Sequence, residues 1–203
     1  MKLVAAVLLL VSSALAQSQG LPSESLGDRP WDLGLFAGFA TDTDSRYPTQ
    51  FNFLMLGGRV GKVLTPQIGK GWARGNFEWA LDIIPVYPAF HGDSSFGAHD
   101  GMTYGAGANP VVLKWNFTRG KKLAPFAEIS GGFLITQRDL PVSNSSSFNF
   151  VSGGGAGFHY FLKPKQAVTF AGKVFHLSNA SIGNRNPGIN AGLQFTIGYN
   201  WFK

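Results

Sequence analysis

His176 and Ser178 form the one His/Ser pair in the sequence that is both close and set in a regular run, VFHLS from Val174 to Ser178. In a strand, side chains two apart share a face with Cα atoms about 6.6 Å apart. The imidazole and the hydroxyl therefore reach each other past Leu177. This is the minimum equipment for nucleophilic acyl transfer, in which the ring takes the hydroxyl proton as the oxygen attacks a carbonyl. No cysteine is present, so thiolate chemistry and disulfides are both excluded.

Parity decides what this pair faces. Val168, Phe170, Gly172 and Val174 share its side, whereas Thr169, Ala171 and Lys173 begin the other. A polar pair on an apolar face is misplaced in a soluble enzyme. In a membrane barrel that face meets lipid, and the pair meets acyl chains from the side.

The segment FHLSNA followed by NRNPGIN, Phe175 to Asn190, resembles the active-site segment of the PagL-type lipid A 3-O-deacylases, an acyloxyacyl hydrolase family of outer-membrane barrels. In that family the His and Ser of H-x-S-N are general base and nucleophile, a following loop Asn helps hold the oxyanion, and a Glu twelve residues after the Ser orients the His. The resemblance implies His176 as base, Ser178 as nucleophile and Asn179 as the neighbouring polar residue. It puts the loop donor on Asn186, with Gly188 close behind as a backbone donor. The acid's position falls on Asn190, an amide that can accept a hydrogen bond from the ring but cannot stabilise imidazolium by charge. The implied partner is lipid A of outer-leaflet lipopolysaccharide, with no cofactor and no metal.

The elements around the pair must place it at a membrane. MKLVAAVLLLVSSALA has one Lys, an apolar run and an Ala14-Leu15-Ala16 end, which reads as a signal peptide over 1–16. The run is far short of the ~20 residues of a spanning helix. Residues 17–30 are a polar periplasmic lead-in, and 31–203 is one barrel domain. Charged residues are 14% of the chain and glycine numbers 27, against about a quarter charged in soluble proteins. The net charge of +6 is scattered through turns, which disfavours nucleic acid and suits lipid headgroups.

Alternating segments at 31–40, 51–64, 75–86, 103–117, 124–135, 148–161, 167–179 and 189–202 predict an all-β, eight-stranded antiparallel transmembrane barrel. The connections at 41–50, 87–102, 136–147 and 180–188 are the longer ones and are read as outer loops. This puts His176 and Ser178 at the outer end of the seventh strand. The polar cluster His91, Asp93, Ser94, Ser95, His99 and Asp100 lacks tight ligand spacing and reads as a solvated loop. The glycines at 105–107 and 153–157 read as bends in the wall.

Taking the more apolar parity as lipid-facing sends Arg59, Glu78, Asp82, Lys114, Glu128 and Lys173 inward, three bases against three acids. An eight-stranded lumen is filled by side chains, so these charges neutralise one another and a channel is disfavoured. In the last hairpin, symmetry about Asn184 would pair Ser178 with Asn190, yet Leu193, Phe195 and Ile197 mark the outward parity and turn Asn190 inward. A bulge at Ala191-Gly192 resolves the conflict. The alternative to an esterase is a structural or lipid-binding barrel that lost its acid. A homodimer is left open.

Overall fold

The computed structural model describes residues 26–43, 51–91, 101–119 and 122–203. The expected signal peptide, most of the lead-in, and all of the His91 to Asp100 cluster except the His91 backbone lie outside these residues. Eight long strands make the wall: β1 (Trp31–Asp42), β2 (Asn52–Val63), β3 (Gly75–Val86), β6 (Gly105–Phe117), β7 (Leu123–Thr136), β8 (Phe148–Lys163), β9 (Gln166–Ser178) and β10 (Ile189–Phe202). Neighbours pair antiparallel in the order β1-β10-β9-β8-β7-β6-β3-β2, and β1 pairs β2 to close the sheet. The predicted eight-stranded barrel is what the chain forms.

One departure lies above the wall. Two short strands, β4 (Ala89–His91) and β5 (Gly101–Thr103), occupy the ends of what the sequence reads as the 87–102 loop. β4 adds to β2, and β5 adds to β4. Pro85 and Pro88 lack the N–H that would continue β3 as one strand. The Pro88 carbonyl instead accepts from Leu54 N–H at 3.1 Å, and pairing resumes beyond it.

Strand alternation separates the two surfaces. Leu35, Leu56, Ile83, Ile129, Val174, Phe195 and Ile197 are exposed, as a lipid-facing band requires. Inward side chains fill the lumen in three layers. At the loop end Phe51, Phe53, Met55, Tyr87, Phe175, Leu177 and Ile189 form an apolar plug, with Phe53 edge-on to both Tyr87 and Phe175 at centroid distances of 5.9 and 6.0 Å. At the terminal end Leu26, Val63, Ala124, Phe161, Ala167 and Phe202 form a second.

Charge occupies the middle. Arg59 grips Asp82 through two bonds of 2.6 and 2.9 Å and reaches Glu128 at 3.4 Å. Lys173 meets Glu128 at 2.9 Å. Lys114 meets Glu78 at 2.9 Å and Asp32 at 3.5 Å. All six predicted inward charges are therefore here and paired, but the predicted balance of three against three omits Asp32 and Asp42, which are also buried. The central void among Arg59, Asp82, Glu128 and Lys173 measures about 30 Å³, room for a water or two and no conduit.

Candidate active site

β9 carries the pair to the loop end of the barrel. Phe175, Leu177 and Asn179 turn inward and are buried, while His176 and Ser178 turn outward and are half-buried. On β8 their direct partners are Ser152 and Phe150. Directly paired residues share a face, so a second hydroxyl stands beside the imidazole and an aromatic ring stands beside the nucleophile candidate. Phe133, Phe148 and Phe150 continue that aromatic patch, with centroids 5.7 and 5.1 Å apart.

The other flank is β10, whose register is the decisive feature. Ile189 pairs with Leu177, but Gly192 pairs with Phe175, so three steps along β10 answer two along β9. The bulge expected at this place is present. Its consequence differs from the expectation in one respect: the hairpin is centred on Gly183, not Asn184. Carrying the Ile189–Leu177 register one residue on sets Asn190 opposite His176 rather than Ser178. Asn190 is exposed and does not point into the lumen.

Three contacts hold this irregular segment. Thr43 donates both its backbone N–H, at 3.0 Å, and its hydroxyl, at 2.8 Å, to the Ala191 carbonyl, which continues the unbroken β1–β10 register past Asp42–Gly192 on the side away from the bulge. Gly192 lies so close to Phe175 that a Cβ there would fall 2.2 Å from the ring. Gly188 has φ of +60°, and a Cβ on it would stand 2.8 Å from the Leu177 carbonyl oxygen and 3.5 Å from Ser178 Cβ. The tight approach is to the Leu177 carbonyl, which together with the positive φ favours glycine at 188.

Asn179 organises the loop from inside. Its Nδ2 donates to the Arg185 carbonyl at 2.8 Å, its Oδ1 accepts from Ser181 N–H at 2.9 Å, and its own N–H donates to Asn186 Oδ1 at 3.1 Å. Ala180 and Ser181 have φ of +50° and +64°, two consecutive non-glycine residues in the left-handed region. Such strain persists only where surrounding contacts over-determine it. Asn186 is exposed, with Nδ2 3.4 Å from Ser181 Oγ. The loop is seated on the 137–147 loop, because a Cβ on Gly183 would strike the Ser145 carbonyl.

Of the residues singled out in the sequence, His176, Ser178 and Asn190 thus share one outward patch, with the Gly188 backbone beside Ser178. Asn179 does not join that patch, and Asn186 is bonded to Asn179 and Ser181 within the loop. Thr43 and Ser152 escaped sequence reading. Ser152 interrupts the Phe148–Phe150 parity on β8, a signal that acquires meaning only when the β8–β9 register sets it against His176.

A family model described as Lipid A 3-O-deacylase (PagL) matches residues 65–200. The chain belongs to the lipid A 3-O-deacylase (PagL) family. The matched span includes every residue of the outward patch on β9 and β10. Among solved structures, the outer-membrane enzyme PagL aligns at 16% identity over 84% of this chain and 98% of that one, with a TM-score of 0.45. Neisserial surface protein A aligns at 14% identity over 84% and 96%, with a TM-score of 0.50. OprG from Pseudomonas aeruginosa aligns at 13% over 87% and 96%, with a TM-score of 0.46. The fold is shared with Neisserial surface protein A. No curated protein matches the chain.

Proposed function

We propose that the protein is an outer-membrane serine esterase that removes an ester-linked 3-hydroxyacyl chain from lipid A, after export with loss of residues 1–16. The observation that carries this reading is the β10 bulge, which brings Asn190 onto the outward face beside His176 against the parity of the rest of its strand. A bulge opposite His176 and two strained residues at 180 and 181, just after Ser178, flank the pair, and such features cluster at active sites.

The mechanism follows from the residue types. Ser178 Oγ attacks the ester carbonyl carbon while His176 accepts the hydroxyl proton. The developing oxyanion is met by Asn186 Nδ2 and the main-chain N–H at Gly188. Collapse breaks the bond to the sugar oxygen, which takes the proton from His176, and the hydroxyl is left on lipid A. Water, deprotonated by His176, then releases the fatty acid from Ser178. Asn190 holds the ring by accepting a hydrogen bond, as Asn does in Cys-His-Asn enzymes. Asn179 keeps the loop in shape from within the barrel. Every step uses side chains or water, so no metal or cofactor is called for.

Mass spectrometry of lipid A from cells with and without the protein tests this, with Ser178→Ala as control. Loss of one 3-hydroxyacyl mass that depends on Ser178 is the expected result. Unchanged lipid A in the presence of correctly inserted protein favours a second reading, a non-catalytic lipid-binding barrel, which the amide at position 190 supports.

A further inference from the structure

The outer surface has a second built feature at the opposite end of the barrel. Trp31 pairs with Lys62 on β2 and exchanges backbone hydrogen bonds of 2.6 and 2.9 Å with Lys203 on its other side. Paired residues share a face, so two lysines flank an exposed tryptophan in one row. Lys62 Nζ stands 5.1 Å from the Trp31 ring centroid. With strands about 4.8 Å apart, the two lysine Cα atoms are about 10 Å apart, a gap their long stems can close around one phosphate.

Above this row, toward the bilayer centre, lies an open cleft of about 470 Å³ lined by Leu33, Leu35, Gly58, Val60, Ile83 and Trp201, with Lys203 at its mouth. Gly58 makes the cleft. A Cβ there would meet nothing nearer than Gly34 O at 3.5 Å and Leu35 Cδ2 at 3.7 Å, so the space is vacant because the residue is small, not because neighbours crowd it. Below the row, Arg29 and Lys62 line a second depression beside Leu64. The nearby turns are basic too, with Lys70 and Arg74, Arg119 and Lys122, and Lys163 and Lys165 in pairs. Asp28 is the only acidic side chain outside the lumen at this end among the described residues.

An apolar slot above a belt of lysines has the layout of a single lipid: chain in the slot, anion at the belt. Short turns and both terminal strand ends mark this end as periplasmic, so the lipid comes from the inner leaflet. We propose that the β1–β2–β10 cleft binds one anionic glycerophospholipid, with an acyl chain lying over Gly58 and its phosphate between Lys62 and Lys203. The site is independent of the His176 patch and of the acyl-transfer reading.

The test uses the folded protein in mild detergent, equilibrated with equal amounts of dioleoyl phosphatidylglycerol and dioleoyl phosphatidylcholine, and mass spectrometry of the lipid it retains. One basic residue near an anionic surface is worth about fivefold, so the two lysines together predict about a 25-fold preference for phosphatidylglycerol. Lys62→Gln with Lys203→Gln brings the ratio near unity. Gly58→Leu fills the slot and cuts the phosphatidylglycerol held per barrel, with the lysines untouched. Heat-dependent gel mobility verifies that each variant is folded; should the double variant not assemble, Gly58→Leu decides alone. Equal retention of both lipids by the unaltered protein, or undiminished phosphatidylglycerol per barrel in Gly58→Leu, overturns the proposal and leaves ordinary annular lipid.

Discussion

Replacing Asn190 by Glu is the sharpest probe of the outward patch, because the substitution restores a charge where the geometry already provides a place. Opposed residues on adjacent antiparallel strands have Cβ atoms about 4.5 to 5.5 Å apart, and the shift between Ile189 and Gly192 leaves Asn190 and Ala191 facing His176. A carboxylate about 4 Å from the imidazolium formed in the transition state gains about 1 kcal/mol in bulk water and about 4 kcal/mol at an effective dielectric of 20. Asn190 is exposed at a membrane boundary, so the gain falls between these limits. That corresponds to a rise in kcat from about fivefold to about a thousandfold. The assay is the initial rate of 3-hydroxy fatty acid release from purified lipid A in detergent, with Asn190→Gln as the control of equal length and no charge. Glu should exceed Gln by at least the lower figure. Equal rates for the two variants would refute the placement of residue 190 at the ring.

Three further outcomes are expected. His176→Ala and Ser178→Ala should each abolish fatty acid release while the unheated protein keeps its fast gel mobility, since neither side chain packs in the lumen. Gly192→Ala should displace Phe175 from beneath the bulge and lower activity more than about tenfold through residue 190, and activity unchanged in a folded Gly192→Ala protein would detach the bulge from function. Lys114→Met should strand Asp32 and Glu78 without their shared cation, costing about 3 to 5 kcal/mol, read as a lower urea midpoint for barrel unfolding.

The wall of the barrel was legible because period-two alternation is a local signal. Leu193, Phe195 and Ile197 declare a lipid face by themselves, and Arg59, Glu78 and Lys114 declare a lumen by parity alone. Asp32 was harder to place, since it is the second residue of its strand and stands next to a polar lead-in that carries charges of its own. The β9–β10 register was half legible. Parity demanded an extra residue near Ala191, but where the hairpin centres depends on the left-handed Gly188 and on the bonds Asn179 makes inside the loop, neither of which has a period. Thr43 and Ser152 contribute through pairing across strands distant in sequence, and no local pattern announces such partners.

The central charge layer carries a consequence for how the molecule is made. Asp32 belongs to the first wall strand and Asn200 to the last, and Asn200 Nδ2 donates to Asp32 Oδ1 at 2.6 Å across the closing seam. Lys114, midway along the chain, needs that same Asp32 as one of its two carboxylate neighbours. A sheet that has entered the bilayer without joining β1 to β10 therefore faces hydrocarbon with unmet hydrogen-bonding edges, and it also keeps a carboxylate and an ammonium apart in a medium that penalises both. Half-zipped forms are raised in energy twice over by the same missing seam. Joining the first strand to the last thus satisfies the backbone edges and the buried charges in a single step.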